Sequence, residues 1–158
     1  MSKKNIIKIS FASETDIKNI SKFVNKIFDE YVGPTFSDEG KDDLHEYMQK
    51  YNILARTQAN HWILIAELQG KLIGMIEVKD NNHISLLFVA KNYQKTGVGS
   101  LLFKEALKIS IKESENTSMT VHAVSNAVKA YKKYGFKATN TEQCENGIKF
   151  IPMKRKIQ

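Results

Sequence analysis

The chain has little of what marks the specialised protein classes. Its 158 residues hold one cysteine, two prolines and one tryptophan. Cys144 stands alone and cannot close an internal disulfide, which excludes a disulfide scaffold and fits a reducing, cytoplasmic setting. No apolar run approaches the roughly 20 residues of a membrane span, so no membrane partner is expected. The start, Met1-Ser2-Lys3-Lys4-Asn5, leads into Ile6 to Phe11, a stretch too short for the core of a secretory leader. Repeats, Pro-rich linkers and low-complexity tracts are missing, and residues 1–158 read as a single domain. No metal site is expected, since there is no zinc-finger spacing.

The net charge of +7 and the pI near 9.4 raise a nucleic-acid reading. The 24 basic residues are spread along the chain, however, without an RNA-binding signature or a basic helix. The richest cluster, Lys149 to Lys156, alternates with apolar residues like a strand with one wet face. The charge is read as surface charge with some attraction for anionic small molecules, and no nucleic-acid partner is expected.

Hydrophobic periodicity then orders the elements. Ile6 to Phe11 reads as a strand, and Ser13 with Asp16 as a capping box. Ile17, Ile20, Val24, Ile27, Phe28 and Tyr31 form one helical stripe that ends at Gly33-Pro34. Ser37 caps a second helix with the face Leu44, Tyr47, Met48 and Tyr51. Strands follow at His61 to Glu67 and Lys71 to Val78, joined by Gln69-Gly70, and at His83 to Val89 after a turn at Asp80-Asn81-Asn82. The last of these is apolar at nearly every position, as in a strand covered on both faces. A helix from Gly97 to Glu115 points Leu101, Leu102, Ala106 and Ile109 inward. Ser118 to Ala123 is a strand, and a short helix runs to Tyr134 with Gly135 as its C′ residue. Strands at Phe136 to Asn140 and Ile148 to Met153 flank Glu145-Asn146-Gly147. The order β-α-α-β-β-β-α-β-α-β-β is that of a mixed α/β layer.

The feature with chemical content is Gln94-Lys95-Thr96-Gly97-Val98-Gly99, which passes from a buried strand directly into a helix. Glycine lets the backbone turn and a ligand approach, and the first N–H groups of a helix lack intrahelical acceptors. The helix dipole adds partial positive charge there, so the loop reads as a seat for a phosphate or pyrophosphate. A P-loop match is missing, and Leu102 stands where a dinucleotide fingerprint needs its third glycine.

Gln-x-x-Gly-x-Gly after a buried strand resembles the coenzyme A loop of the GCN5-related N-acetyltransferases, the GNAT family. Ala127 to Phe136 resembles that family's Ala-x-x-x-Tyr-x-x-x-Gly-Phe segment. Further stretches, Tyr31 to Gly40, Gly74 to Val78, His83 to Val89 and Asn146 to Met153, look like a bacterial branch of it with unassigned substrates. The resemblance covers about Ile6 to Lys154. It implies a mixed α/β fold with a mostly antiparallel sheet of about seven strands, splayed between the fourth and fifth, and four helices.

It also implies transfer of an acetyl group from acetyl-coenzyme A to an amine of a small molecule or peptide. The alternative is a domain of the same fold that binds acyl-coenzyme A as a sensor without turnover. By position, Gln94, Lys95, Thr96, Gly97, Val98, Gly99 and Ser100 would hold the pyrophosphate, while Leu87, Phe88 and Val89 would pair with the pantetheine amides. Leu87 N–H would be the oxyanion donor, and the hydroxyl of Tyr131, which otherwise reads as a core residue, would stabilise the departing thiolate. The base is open between His83, sharing a strand face with Ser85 and Leu87, Glu77 on the next strand, and His122. Asn126 and Ser125 either contact the cofactor or cap the last helix. Gln94 departs from the arginine many relatives carry. The acceptor site is expected among Tyr31, Phe36, Glu77 and Phe150, with Glu39 or Glu145 for a cationic amine. Many relatives dimerise, so a homodimer is among the states allowed.

Overall fold

The computed structural model describes residues 6–157. The chain runs β1 (Ile7–Phe11), α1 (Ile17–Ile27), α2 (Asp38–Tyr47), α3 (Lys50–Thr57), β2 (His61–Leu68), β3 (Lys71–Lys79) and β4 (His83–Val89). It continues through α4 (Val98–Glu113), β5 (Ser118–Ala123), α5 (Val128–Lys133), β6 (Lys137–Ala138), β7 (Gln143–Glu145) and β8 (Ile148–Lys156). The strands form one sheet in the order β1-β2-β3-β4-β5-β8-β6, with β7 also on β8. Every pair is antiparallel except β4 with β5. This is the mixed α/β fold expected, with five helices and eight strands among the described residues.

Alternation along the central strands builds a core on each face of the sheet. Ile63, Ile65 and Met75 face α1 and α3 together with Ile20, Val24, Phe28 and Ile53. Leu64, Ala66, Ile76 and Val78 face Leu102, Phe103 and Ala106 of α4 and Tyr131 of α5. Each fully buried large apolar side chain contributes about 1.5–3 kcal/mol, so the two layers fix the helices on opposite sides. Among the described residues, no helix is long and apolar enough to cross a membrane.

Local signals explain most boundaries. Ser13 N–H donates to the Asp16 carboxylate (2.8 Å), and Ser37 Oγ accepts from Gly40 N–H (3.1 Å) at the start of α2. Gln69-Gly70 and Asn146-Gly147 both have positive φ and close tight hairpins. At the end of α5, Gly135 N–H bonds to Lys132 O and Phe136 N–H to Tyr131 O, a Schellman cap.

Four expectations are corrected. The first helix passes at Phe28 into a π-helical turn, Phe28–Val32, before Gly33–Thr35. The second helix breaks at Met48, so that α3 is an additional helix and Tyr51 is exposed. The Met48 carbonyl at that break accepts from Ser21 Oγ (2.7 Å) and Asn25 Nδ2 (3.2 Å) of α1, so breaking the ladder leaves it satisfied. On α4, Leu102 and Ala106 are buried as expected, but Phe103 is buried in place of Leu101, which falls at the exposed margin of the apolar stripe. The expected strand from Phe136 shortens to β6, and β7 forms as a separate strand on β8.

Candidate active site

The site begins with a divergence in the sheet. β4 and β5 pair in parallel only at His83↔Thr120 and Ile84↔Val121, and beyond Ile84 the edge of β4 turns away from β5. On its other side β4 pairs Ile84 with Val78 and Leu86 with Glu77, which leaves Ser85 as the extra residue of a bulge. The bulge reverses the side-chain alternation. Ile84, Leu87 and Val89 pack toward α4, whereas Leu86 and Phe88 pack toward α1. His83 and Leu87 therefore do not share a face, contrary to the simple alternation expected. Both faces of β4 are thus packed, as expected, and it is its free edge that opens: between the splayed strands lies a cavity of about 700 Å³, lined by Leu86, Leu87, Phe88 and Val89 and across from them by Val121 and Ala123.

One end of the cavity meets the glycine loop. After a 3₁₀ turn at Lys91–Tyr93, Lys95 and Gly97 adopt positive φ of 64° and 97°. Gly97 is the N-cap of α4, and the first intrahelical bond is Leu101 N–H to Gly97 O (2.9 Å). The N–H groups of Val98, Gly99 and Ser100 precede that bond. Thr96 is spent differently: its hydroxyl and its N–H both turn back to Tyr93 O. Gln94 and Gly99 line the cavity; Lys95, Thr96, Gly97, Val98 and Ser100 do not, and Val98 packs its side chain into the core. The Gln94 amide donates to Val89 O (3.0 Å) and so caps the end of β4.

The last helix forms the opposing wall. Tyr131 lines the cavity with its ring buried against Tyr134 (5.9 Å) and Phe136 (5.4 Å), both edge to face. Burial, reinforced by Tyr134, pushes the Tyr131 phenol well above the usual tyrosine range, so it stays protonated. Tyr134 stacks on Phe103 (4.8 Å) and also lines the cavity. Asn126 lines the cavity; neither it nor Ser125 makes a side-chain cap, because the N-cap positions fall on Val124 and Ala127.

The other half of the cavity is bounded by Tyr31 and Phe36 from the segment before α2, by Phe150 of β8, and by Asp43, Glu145 and Tyr47. Phe150 stacks on His122 (4.3 Å), and His122 meets His83 edge to face (5.0 Å). His83 Nδ1 lies 2.7 Å from Thr120 Oγ1 across the two paired strands. Burial first, then the neighbouring His122, Lys79 and His61, push the His83 imidazole down to about 4 against the pull of Asp80. His83 is therefore uncharged at neutral pH. The sign for stability follows: the folded value lies below the ordinary 6.5, so the unfolded chain takes up this proton first. That contribution is complete above about pH 6.5 and is lost as pH falls from there toward 4. Acid titration of the unfolding free energy should show the loss in wild type and a flatter curve in His83→Gln.

Glu77 is the expectation that moves furthest. It does not line the cavity and is fully buried. Its carboxylate accepts from Arg56 Nε (2.6 Å) and Nη2 (3.1 Å) and lies 2.6 Å from His61 Nδ1. Burial raises its pKa, but the bonds and charges of His61 and Arg56 outweigh that and hold the carboxyl below its usual range. Glu39 likewise lies outside the lining, whereas Glu145 lies in it. Tyr47, Ser85 and Asp43 line the cavity without having been singled out from sequence. For Ser85 the sequence holds one signal: it is the single small polar residue in the otherwise apolar run from Ile84 to Val89. Among the described residues, no group of three or more His, Cys, Asp or Glu side chains is arranged to hold a metal.

Comparison with solved structures finds the same fold repeatedly. A GCN5-related N-acetyltransferase from Rhodopseudomonas palustris superimposes with a TM-score of 0.82 at 21% identity, covering 99% of both chains. The PaiA N-acetyltransferase of Thermoplasma acidophilum, solved in complex with coenzyme A, gives 0.80 at 23% identity over 96% of this chain and 99% of that one. A GNAT-family acetyltransferase from Staphylococcus aureus Mu50 gives 0.75 at 14% identity over 97% and 100%. Curated protein sequences yield no match. The family profile described as an acetyltransferase (GNAT) domain matches residues 32–157, which takes in the splayed strands, the glycine loop and the last helix. The chain belongs to the GNAT acetyltransferase family.

Proposed function

We propose that the protein is an N-acetyltransferase that moves an acetyl group from acetyl-coenzyme A to an amine by direct attack, with both molecules in the cavity between β4 and β5. The observation that carries this reading is the divergence of β4 from β5 directly beside the N-terminus of α4. From Ser85 onward, the edge of β4 is free of β5 and suits an extended chain of amides. The N–H groups of Val98, Gly99 and Ser100 suit a pyrophosphate. A cavity of about 700 Å³ also falls within the usual range for small-molecule sites.

When bound, acetyl-coenzyme A supplies an acetyl group activated as a thioester. The residues would then divide the work. Leu87, paired with Ile76 on the neighbouring strand, offers its N–H to the thioester oxygen as charge grows there, a contribution of a few kcal/mol for such a donor. The amine nitrogen bonds to the acetyl carbon as the carbon–sulfur bond breaks. Tyr131 gives its proton to the departing sulfur and regains one from solvent. His83 accepts hydrogen bonds from the neutral amine, and at its low pKa it passes the amine proton on to water instead of holding it. Tyr31, Phe36 and Phe150 enclose the acceptor's apolar part.

Tyr131→Phe is the test. It is expected to lower kcat by about 100-fold or more in a thiol-release assay while acetyl-coenzyme A affinity by calorimetry stays the same. Full activity in Tyr131→Phe would remove the residue from the mechanism. Binding of acetyl-coenzyme A by wild type without turnover of any amine would favour the sensor reading. Because His83 is uncharged well below neutrality, kcat/KM should climb with pH along the amine's own ionisation, near 10 for a simple amine. A break near 6.5 would show instead that an ordinary histidine limits the reaction.

A further inference from the structure

The buried carboxylate of Glu77 takes no place in the chemistry above, yet it holds a side chain that does reach the cavity. Arg56 is the link. Its Nε and Nη2 are held by Glu77, its Nη1 donates to Tyr47 O (2.6 Å), and its guanidinium lies over the Tyr47 ring with Cζ 3.6 Å from the centroid. A planar guanidinium held at both oxygens of a carboxylate cannot slide or tilt, so the ring beneath it is fixed in place. Tyr47 is also the last residue of α2, and the Met48 carbonyl beyond it is held by Ser21 and Asn25. Backbone and ring are thus clamped together. The side chain lines the acceptor half of the cavity, as does Ser85 at the bulge of β4. Stability alone does not call for this arrangement, because a buried ion pair is often matched or bettered by apolar packing.

We infer that Tyr47 is an acceptor-binding residue whose phenol oxygen accepts an N–H of a primary amine beside the Ser85 bulge, and that Arg56 and Glu77 are positioning residues acting through it. The inference rests on the acetyltransferase reading. Its chemistry is specific. An attacking amine must keep its lone pair free for the acetyl carbon, so a binding group has to accept from nitrogen instead of donating to it. A primary amine has one N–H to bond to Tyr47 and one to lose in the reaction; a secondary amine has only the one it loses. The site should therefore favour primary amines.

The experiment measures acetyl-coenzyme A-dependent thiol release with n-butylamine, N-methylbutylamine, 1,4-diaminobutane and tyramine, beside calorimetric affinity for acetyl-coenzyme A. Tyr47→Phe keeps the ring under Arg56 and removes only the hydroxyl. It is expected to raise KM for the best primary amine about five- to tenfold, the worth of roughly one hydrogen bond, with acetyl-coenzyme A affinity unchanged. The preference for n-butylamine over N-methylbutylamine should shrink by the same factor. Arg56→Met should raise KM alike, Arg56→Lys should recover part of it, and Arg56→Met combined with Tyr47→Phe should be no worse than Tyr47→Phe alone. An unaltered KM and amine preference in Tyr47→Phe overturns the inference even if the Arg56 variants fail to fold. Independent, additive effects of Arg56→Met and Tyr47→Phe overturn the positioning role. Wild type that binds acetyl-coenzyme A but acetylates none of the four amines overturns the acetyltransferase reading itself; turnover that ignores Tyr47 overturns only this inference.

Discussion

Glutamate in place of Gly99 is expected to abolish acetyl-coenzyme A binding while leaving the fold intact. A Cβ at this position stands 3.0 Å from Tyr134 Oη and 3.6 Å from Val89 Cγ2, so a long side chain has room only on the cavity side. Its carboxylate would then occupy the first turn of α4 and compete for the N–H groups of Val98, Gly99 and Ser100. Like charge repels the pyrophosphate at the same time. A rise in Kd of at least about 100-fold, roughly 2.7 kcal/mol, is the expected calorimetric result. On stability two effects oppose each other: the acidic side chain suits the helix dipole, whereas the Tyr134 hydroxyl must give by a few tenths of an ångström. Gly97→Glu separates the two effects. A Cβ there meets nothing within 4 Å, but φ is +97°, so that variant should lose about 1–2 kcal/mol of stability. Micromolar binding surviving in Gly99→Glu would remove the α4 N-terminus from the cofactor site.

Glu77→Ala carries the largest expected loss of stability, about 3–5 kcal/mol, readable as a shift in the urea midpoint. Removing the carboxylate leaves Arg56, whose side chain is 14% exposed, and His61, at 6%, facing an uncompensated hole. Glu77→Gln keeps the shape and one acceptor and should lose less. The pH dependence has a defined sign. The folded carboxyl titrates below its ordinary 4.5, so its contribution is complete above that value and disappears as pH falls through the folded value. His83 loses its contribution in the same direction but from about pH 6.5 downward, so acid should weaken the protein in two stages. A loss under about 1 kcal/mol in Glu77→Ala would mean that the cluster around Arg56 relaxes and does not hold the α3–β3 junction.

How far the site could be read in advance depended on the range of the interactions involved. The turn at Gln69-Gly70, the Ser37 cap and the Gly135 stop each involve partners within a few residues, and each appeared where the residue types pointed. The glycine loop belongs to the same group, since Gly97 and the first turn of α4 are contiguous. The break at Met48 does not. It has no proline or glycine to announce it, and its carbonyl is satisfied by Ser21 and Asn25, more than 20 residues earlier. Glu77 failed as a candidate base for the same reason: on a strand it looks like a lone acid, and only folding brings Arg56 and His61 to it. Tyr47 was legible as an apolar helix position, and what sets it at the cavity is the guanidinium beneath it.

The sequence by itself determined most of the order of strands and helices, the two faces that become the cores, the glycine turn that opens α4, and family membership through motifs spaced along one chain. Those properties are carried by hydrogen bonds and apolar repeats between near neighbours, which a linear reading contains. Tertiary structure alone decided which titratable groups face the cavity and in what state. It buried Glu77 against Arg56 and His61, and it buried His83 beside His122, so that burial first and then that neighbour hold the imidazole's pKa down. It also shifted the alternation of β4 at Ser85, within the segment that lines the site. Burial and charge act through space, and Arg56 and His61 beside Glu77 and His122 beside His83 lie 16 to 39 residues away along the chain.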